Sequence, residues 1–137
     1  MIQVQLALQQ HLMTVSIYST LDSESAFIVS RANRPSDITT RHQKHFKSEK
    51  YGIDLPCFTH ASSTILYAST KVDNSIKYHS LHDNTYLQYF RGHNGKVNSL
   101  EMSPVSDQFL SASSDDTVRL WDIRSPQCMV SLCNSTF

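Results

Sequence analysis

The feature that most constrains this chain is an internal repeat. Two stretches align on each other with a period of roughly 42–44 residues. Phe58-Thr59-His60 falls on Met102-Ser103-Pro104, Ile65-Leu66 on Phe109-Leu110, and Asp73-Asn74-Ser75-Ile76-Lys77 on Asp115-Asp116-Thr117-Val118-Arg119. Each stretch holds four short apolar runs separated by turn residues. In the first they are Ile53–Cys57, Ile65–Tyr67, Ile76–Tyr78 and Tyr86–Phe90. In the second they are Val97–Met102, Phe109–Ser113, Val118–Trp121 and Cys128–Leu132. Runs of this length at about 8–12-residue spacing predict four-stranded antiparallel meanders. Pro56 lacks an N–H for the ladder, so its run belongs at a sheet edge or a bulge.

The period is that of β-propeller blades. The expected fold class is therefore all-β, with about two four-stranded antiparallel blades forming an incomplete propeller. Three regions are expected: an irregular or poorly ordered segment over residues 1–45, a degenerate blade over 46–90, and a better-formed blade over 91–137. In the first region Leu6, Leu8, Leu12 and Met13 suggest one short helix face, Ala26–Val29 a short strand, and Arg31–His45 a polar loop broken by Pro35.

Charge and composition exclude other classes. The 137 residues carry 12 Lys plus Arg against 12 Asp plus Glu, so no bulk field draws the chain to nucleic acid or to a membrane surface. With 39% hydrophobic and 18% charged residues, it is too apolar for a disordered chain. No run of about 18 apolar residues occurs, and the start, Met1–Leu8, lacks the basic region of a signal peptide. Three cysteines, Cys57, Cys128 and Cys133, form no disulfide framework, which points to a reducing compartment, cytosol or nucleus.

The second stretch carries an ordered set of marks: Gly92-His93 at its start, Ser111-Ala112-Ser113-Ser114-Asp115-Asp116-Thr117 in its middle, and Trp121-Asp122 near its end. It resembles a WD40 repeat. The resemblance implies that His93, Ser113, Asp115 and Trp121 form the blade's internal hydrogen-bond network, with Ser111 as the alternative to Ser113, since period two puts both on one strand face. Chemistry makes the same demand: a buried imidazole, carboxylate, hydroxyl and indole N–H must satisfy one another where water is excluded.

Further segments carry a narrower likeness. They are Lys50–Leu55, Phe58–Ala61, Ser80–Asn84, Tyr89–His93, Met102–Pro104 and Leu120–Cys128. Together they resemble the Swd-two type WD40 subunit of the COMPASS histone methyltransferase complex over about residues 46–128. The first stretch departs from the pattern: it lacks Gly-His, and His79-Ser80 stands where Trp-Asp would, so its network must be absent or different.

Four sharper readings compete with structural ones. His93, Ser113 and Asp115 have the residue types of a hydrolase triad, but no Gly-x-Ser-x-Gly elbow surrounds either serine, and no enzyme is expected. Cys57, His60, His79 and His82 form two metal half-sites, yet residues three apart on a strand point to opposite faces, so no metal and no other cofactor is expected. Arg41, His42, Lys44, His45, Lys47 and Lys50 make a basic stretch, interrupted by Glu49, that reads as a solvated connector. Tyr78, Tyr86, Tyr89 and Phe90 read as blade packing before they read as a recognition surface.

The resemblance implies a non-catalytic scaffold in the nucleus. Its partners would be protein subunits of a COMPASS-like complex acting on histone H3 lysine-4, and also cleavage and polyadenylation factors. No membrane contact and no direct sequence-specific nucleic-acid binding are expected. Three alternatives stay open: a truncated non-functional WD40 fragment, an adaptor of another complex such as a ubiquitin ligase, and a small zinc-binding protein.

Overall fold

The computed structural model describes residues 2–8, 11–19, 25–32, 42–48, 50–61 and 63–133; within the first four stretches it describes the backbone and, of the side chains, those of Phe46 and Lys47. Every regular element described is a strand. Among the described residues no helix is long and apolar enough to cross a membrane.

The chain divides into two compact units, Met1–Ile53 and Asp54–Phe137. The first holds β1 (Ile2–Leu8), β2 (His11–Ser19), β3 (Ser25–Ala32) and β4 (His42–Ser48), in the antiparallel order β1-β2-β3-β4. This corrects the expectation of an irregular segment over 1–45. The reason lies in the sequence: Ile2, Val4, Leu6 and Leu8 alternate with Gln3, Gln5 and Ala7, which is the period of a strand and not of a helix. Polar β4 is an edge strand, held to β3 by a ladder from Arg31↔His42 to Ser25↔Ser48. A ladder of main-chain bonds does not require apolar side chains. The boundary expected at 45/46 falls inside β4. The Ala26–Val29 run lies within β3, and 33–41 are outside the described residues.

The second unit holds two four-stranded antiparallel sheets, as the repeat predicts. The middle sheet is β5 (Asp54–Phe58), β6 (Thr64–Ala68), β7 (Ile76–Ser80) and β8 (Thr85–Phe90). The C-terminal sheet is β9 (Val97–Met102), β10 (Gln108–Ser113), β11 (Thr117–Asp122) and β12 (Cys128–Cys133). The described strands thus form three four-stranded sheets, not two. Pro56 sits on edge strand β5, where the pairing with β6 shifts between Asp54 and Cys57 and Leu55 takes a left-handed φ of 51°. The missing N–H is absorbed by that bulge.

The core of this unit lies between its two sheets. Leu66, Ala68, Ile76 and Phe90 share one face of the middle sheet, since the register runs Leu66↔Tyr78 and Ala68↔Ile76↔Phe90. Against them pack Val97, Leu100, Phe109 and Trp121 from the C-terminal sheet. Phe109 stacks on the Trp121 ring at 6.2 Å between centroids, and Phe90 meets Phe109 edge-on at 4.9 Å. Aromatic pairs in this geometry add to simple area burial. At one end of the joint Lys96 Nζ lies 3.6 Å from Asp54; at the other His60 Nε2 donates to the Ser106 carbonyl at 2.8 Å.

This packing fixes a first prediction. Phe109→Ala removes a fully buried ring from the joint and is expected to cost about 3–5 kcal/mol of unfolding free energy. Urea denaturation followed by fluorescence of Trp121, the sole tryptophan, measures it; a loss below about 1 kcal/mol contradicts this packing.

Candidate functional site: a buried histidine network and its variant

His93 lies in the loop between β8 and β9, and its side chain is buried. Gly92 precedes it because a side chain there would strike the Arg119 guanidinium and press on Trp121: a Cβ would lie 2.5 Å from Nη1 and 3.2 Å from the indole edge. Trp121 on β11 is opposite Phe109 on β10, and Arg119 is opposite Ser111. All these side chains share the inner face of the C-terminal sheet.

The bonds form one chain. Trp121 Nε1–H donates to Ser111 Oγ at 2.8 Å. Ser111 Oγ lies 2.7 Å from His93 Nε2. His93 Nδ1 lies 3.3 Å from Asp115 Oδ2 and 3.1 Å from Thr117 Oγ1. The Asp115 carboxylate also accepts the backbone N–H of Asn94 at 2.8 Å and that of Thr117 at 3.0 Å. Since Asp115 only accepts, Nδ1 carries the proton. Nε2 is then free to accept the Ser111 hydroxyl, whose oxygen takes the indole N–H. Every group is satisfied with a neutral imidazole.

Electrostatics agree. Burial pushes the His93 pKa down and outweighs the opposing pull of Asp115. Burial alone would raise the Asp115 carboxyl, but bonds from Thr117, Asn94 and His93 hold it well below the usual carboxylate range.

The bridging hydroxyl is Ser111, not Ser113. A register shift between Ala112 and Ser113 carries the latter off the line of Trp121, and Ser113 Oγ instead accepts the Asp115 N–H at 3.3 Å. The contact of Thr117 with His93 was not anticipated; its place two residues after Asp115 in a tight turn is the signal that could have found it.

Ser111, His93 and Asp115 stand in the order of a hydrolase triad. The serine cannot act as one. It is 1% exposed, and the Trp121 indole covers it and donates to it. Burial leaves no room for a substrate at the attacking oxygen.

The middle sheet keeps the scheme with different chemistry. Asp73 accepts from Ser75 Oγ at 2.8 Å and Ser75 N at 3.3 Å, as Asp115 accepts from Thr117. The second carboxylate oxygen, which meets imidazole in the other sheet, here meets the buried ammonium of Lys77 at 3.2 Å. Lys77 also lies over the Tyr89 ring, 4.5 Å from its centroid. Burial opposes ionisation of Asp73, but the bonds from Ser75 and Lys77 prevail and lower its pKa. At the position of Trp121 stands His79, whose Nδ1 lies 3.4 Å from Tyr67 OH and whose Nε2 lies 2.9 Å from Asn84 Oδ1. Tyr67 occupies the place of Ser111. The network is thus different rather than absent.

The four metal candidates are not brought together. Cys57 on β5 and His79 on β7 are separated by β6, His60 binds the Ser106 carbonyl, and His82 binds Asp83 at 2.7 Å. Burial raises the Cys57 thiol pKa, which disfavours the thiolate a metal needs. Among the described residues no group of three or more ligating side chains could hold a metal ion.

Comparison with known proteins agrees with this geometry. The WD40 family (WD domain, G-beta repeat) matches residues 84–122. WD repeat-containing protein 82 of Drosophila melanogaster is 63% identical over 81 residues, 59% of this chain and 26% of that protein. The Set1 complex component swd2 of Schizosaccharomyces pombe is 48% identical over 91 residues, 66% of this chain and 26% of its own length. The COMPASS component SWD2 of Saccharomyces cerevisiae is 48% identical over 85 residues, 61% and 26% of the two chains. Residues 84–122 thus match a WD40 repeat, and a longer stretch is similar to the Swd2-type relatives. The chain spans about a quarter of the length of these relatives. The WD40 match begins just before β8 and ends with β11, so the sequence repeat takes the outer strand of one sheet and three strands of the next.

Two predictions follow from the WD40 network. Ser111→Ala leaves a buried indole N–H and an imidazole unpaired and is expected to cost about 1–3 kcal/mol, whereas Ser113→Ala loses a single turn bond worth about 1 kcal/mol or less; parallel urea titrations rank the two, and equal losses contradict the assignment. The second concerns pH. His79 and His93 both have folded pKa values lowered, chiefly by burial, so their contribution is complete above about pH 6.5 and is lost as pH falls through the lowered values. Thermal midpoints should therefore drop from pH 7 to pH 5, and a flat profile across that window contradicts neutral buried imidazoles.

Proposed function

We propose that this chain serves as a non-catalytic WD40 scaffold in a nuclear chromatin complex of the COMPASS kind, one that methylates histone H3 at lysine-4. The observation that carries the reading is 48% identity, over 91 and 85 residues, to proteins named as components of the Set1 complex and of COMPASS. The geometry supports the non-catalytic part: the one triad-like arrangement among the described residues is closed to substrate by Trp121 and used up in holding a turn. His93, Ser111, Asp115 and Trp121 serve as structural members of this scaffold. Its partners are protein subunits reached through loops at the sheet ends.

Affinity purification of the tagged chain from nuclear extract, followed by mass spectrometry, tests the proposal. Set1-type methyltransferase subunits are expected among the captured proteins. Capture of cleavage and polyadenylation factors or ubiquitin-ligase subunits in their place overturns it, as does capture of no nuclear complex by a chain that unfolds cooperatively on heating.

A further inference from the structure

Four prolines occur in the chain, and two of them follow a serine, in Ser103-Pro104 and Ser125-Pro126. The first dipeptide opens the loop between β9 and β10, and the second lies between β11 and β12. In an antiparallel meander these two loops share one end of the sheet. The sheets of this unit pack through their faces, so a loop at a sheet end stays in solvent.

The two serines are held differently. Ser103 Oγ accepts the N–H of Val105 at 3.3 Å, the N–H of Ser106 at 3.2 Å and the Ser106 hydroxyl at 3.0 Å. Those bonds shape the β9–β10 loop, which His60 also reaches at the Ser106 carbonyl. A phosphoryl group on Ser103 Oγ would displace them. Ser125 Oγ accepts the Gln127 N–H at 3.4 Å, long for a hydrogen bond. Other groups set the turn around it. Asp122 accepts the Arg124 N–H at 2.8 Å, and its two oxygens grip the Arg124 Nε at 3.1 Å and Nη2 at 3.0 Å. The Ser125 N–H donates to the Asp122 carbonyl at 3.1 Å. After it the chain runs exposed through Pro126 and Gln127, and Pro126 has no N–H to be tied down. Pro126 also biases Ser125 toward an extended backbone.

We propose that Ser125 is a phosphorylation site for a proline-directed serine kinase, and that Ser103 is not. Such a kinase selects proline after its target because any other residue there would bury an unpaired N–H. Ser125 Oγ attacks the γ-phosphorus of ATP. The new O–P bond forms as the bond to the bridging oxygen breaks, ADP departs, and the hydroxyl proton passes to the kinase's aspartate. The phosphoserine carries about −1.5 to −2 charge at neutral pH. It arises beside Arg124, on which Asp122 and Asp107 already act. The Arg124 side chain is 74% exposed, so its fork can turn from Asp122 to the phosphate. A chain of zero formal net charge thereby becomes acidic at one sheet end. The site rests on the loop's geometry and not on the choice of complex.

The folded chain is incubated with a purified mitogen-activated protein kinase, ATP and magnesium, and mass spectrometry reads the modified residues. A synthetic peptide of residues 119–131 is treated in parallel. Phosphate is expected on Ser125 in both. Ser125→Ala and Pro126→Ala should each abolish it there, while Ser103→Ala should leave it unchanged. Thermal midpoints separate the two serines: Ser125→Ala should melt with the original chain and Ser103→Ala below it. Modification of the peptide but not of the folded chain overturns the proposal, because the loop is then closed to the kinase. Phosphate on Ser103 to an equal extent overturns it as well, as does its absence from both chain and peptide. A midpoint lowered as far by Ser125→Ala as by Ser103→Ala contradicts the unburdened hydroxyl on which the choice of serine rests.

Discussion

The second unit of this protein depends on one buried hydrogen bond, from the Trp121 indole to the Ser111 hydroxyl. An indole brought into a dry interior is stabilising through its area and costly through its N–H. The serine removes that cost and also sets the ring's orientation, so that one side of the indole stacks with Phe109 and the joint with the middle sheet closes. His93 and Asp115 then act at a distance from the core. By holding the serine, they tie the β8–β9 loop and the β10–β11 turn to the same ring.

The middle sheet shows how far that arrangement can be rewritten while its logic persists. The tight-turn carboxylate survives as Asp73, but its second oxygen is met by a lysine ammonium rather than an imidazole. The ammonium end of this pair is fully buried while the carboxylate keeps some exposure, so it is the lysine charge that must be desolvated and needs extra partners. Ser75 donates to the carboxylate, and the Tyr89 ring lies under the ammonium. The tyrosine–histidine pair Tyr67–His79 takes the place of serine and tryptophan. Loss of the Gly-His and Trp-Asp marks therefore changed the chemistry of this sheet without removing its polar interior.

Much of this was legible from residue order. The strands between Asp54 and Cys133 follow from short alternating apolar runs and their turns, and His93, Asp115 and Trp121 stand out by spacing. The choice between Ser111 and Ser113 was not legible, because strand alternation puts both on one side and only the bulge beside Ala112 separates them. The first sheet was missed for two reasons. The helical spacing of Leu8, Leu12 and Met13 competed with the period of two in Ile2, Val4, Leu6 and Leu8, and the polar composition of His42–Ser48 concealed an edge strand held by its main chain. The place of His79 was legible, since His79-Ser80 stands where Trp-Asp would; its bond to Tyr67 was not, because only the strand register brings the two rings to one face.

The WD40 repeat is out of step with the sheets: residues 84–122 begin with the last strand of one and stop at the third strand of the next. A tandem duplication of the repeat therefore copies a seam rather than a panel. Each inserted copy arrives with the strand that completes its predecessor already attached by a peptide bond. Growth by whole repeats would then never leave a sheet one strand short in the interior of the array. Only its two ends would carry an incomplete sheet, and those ends are where selection would have to find a closure.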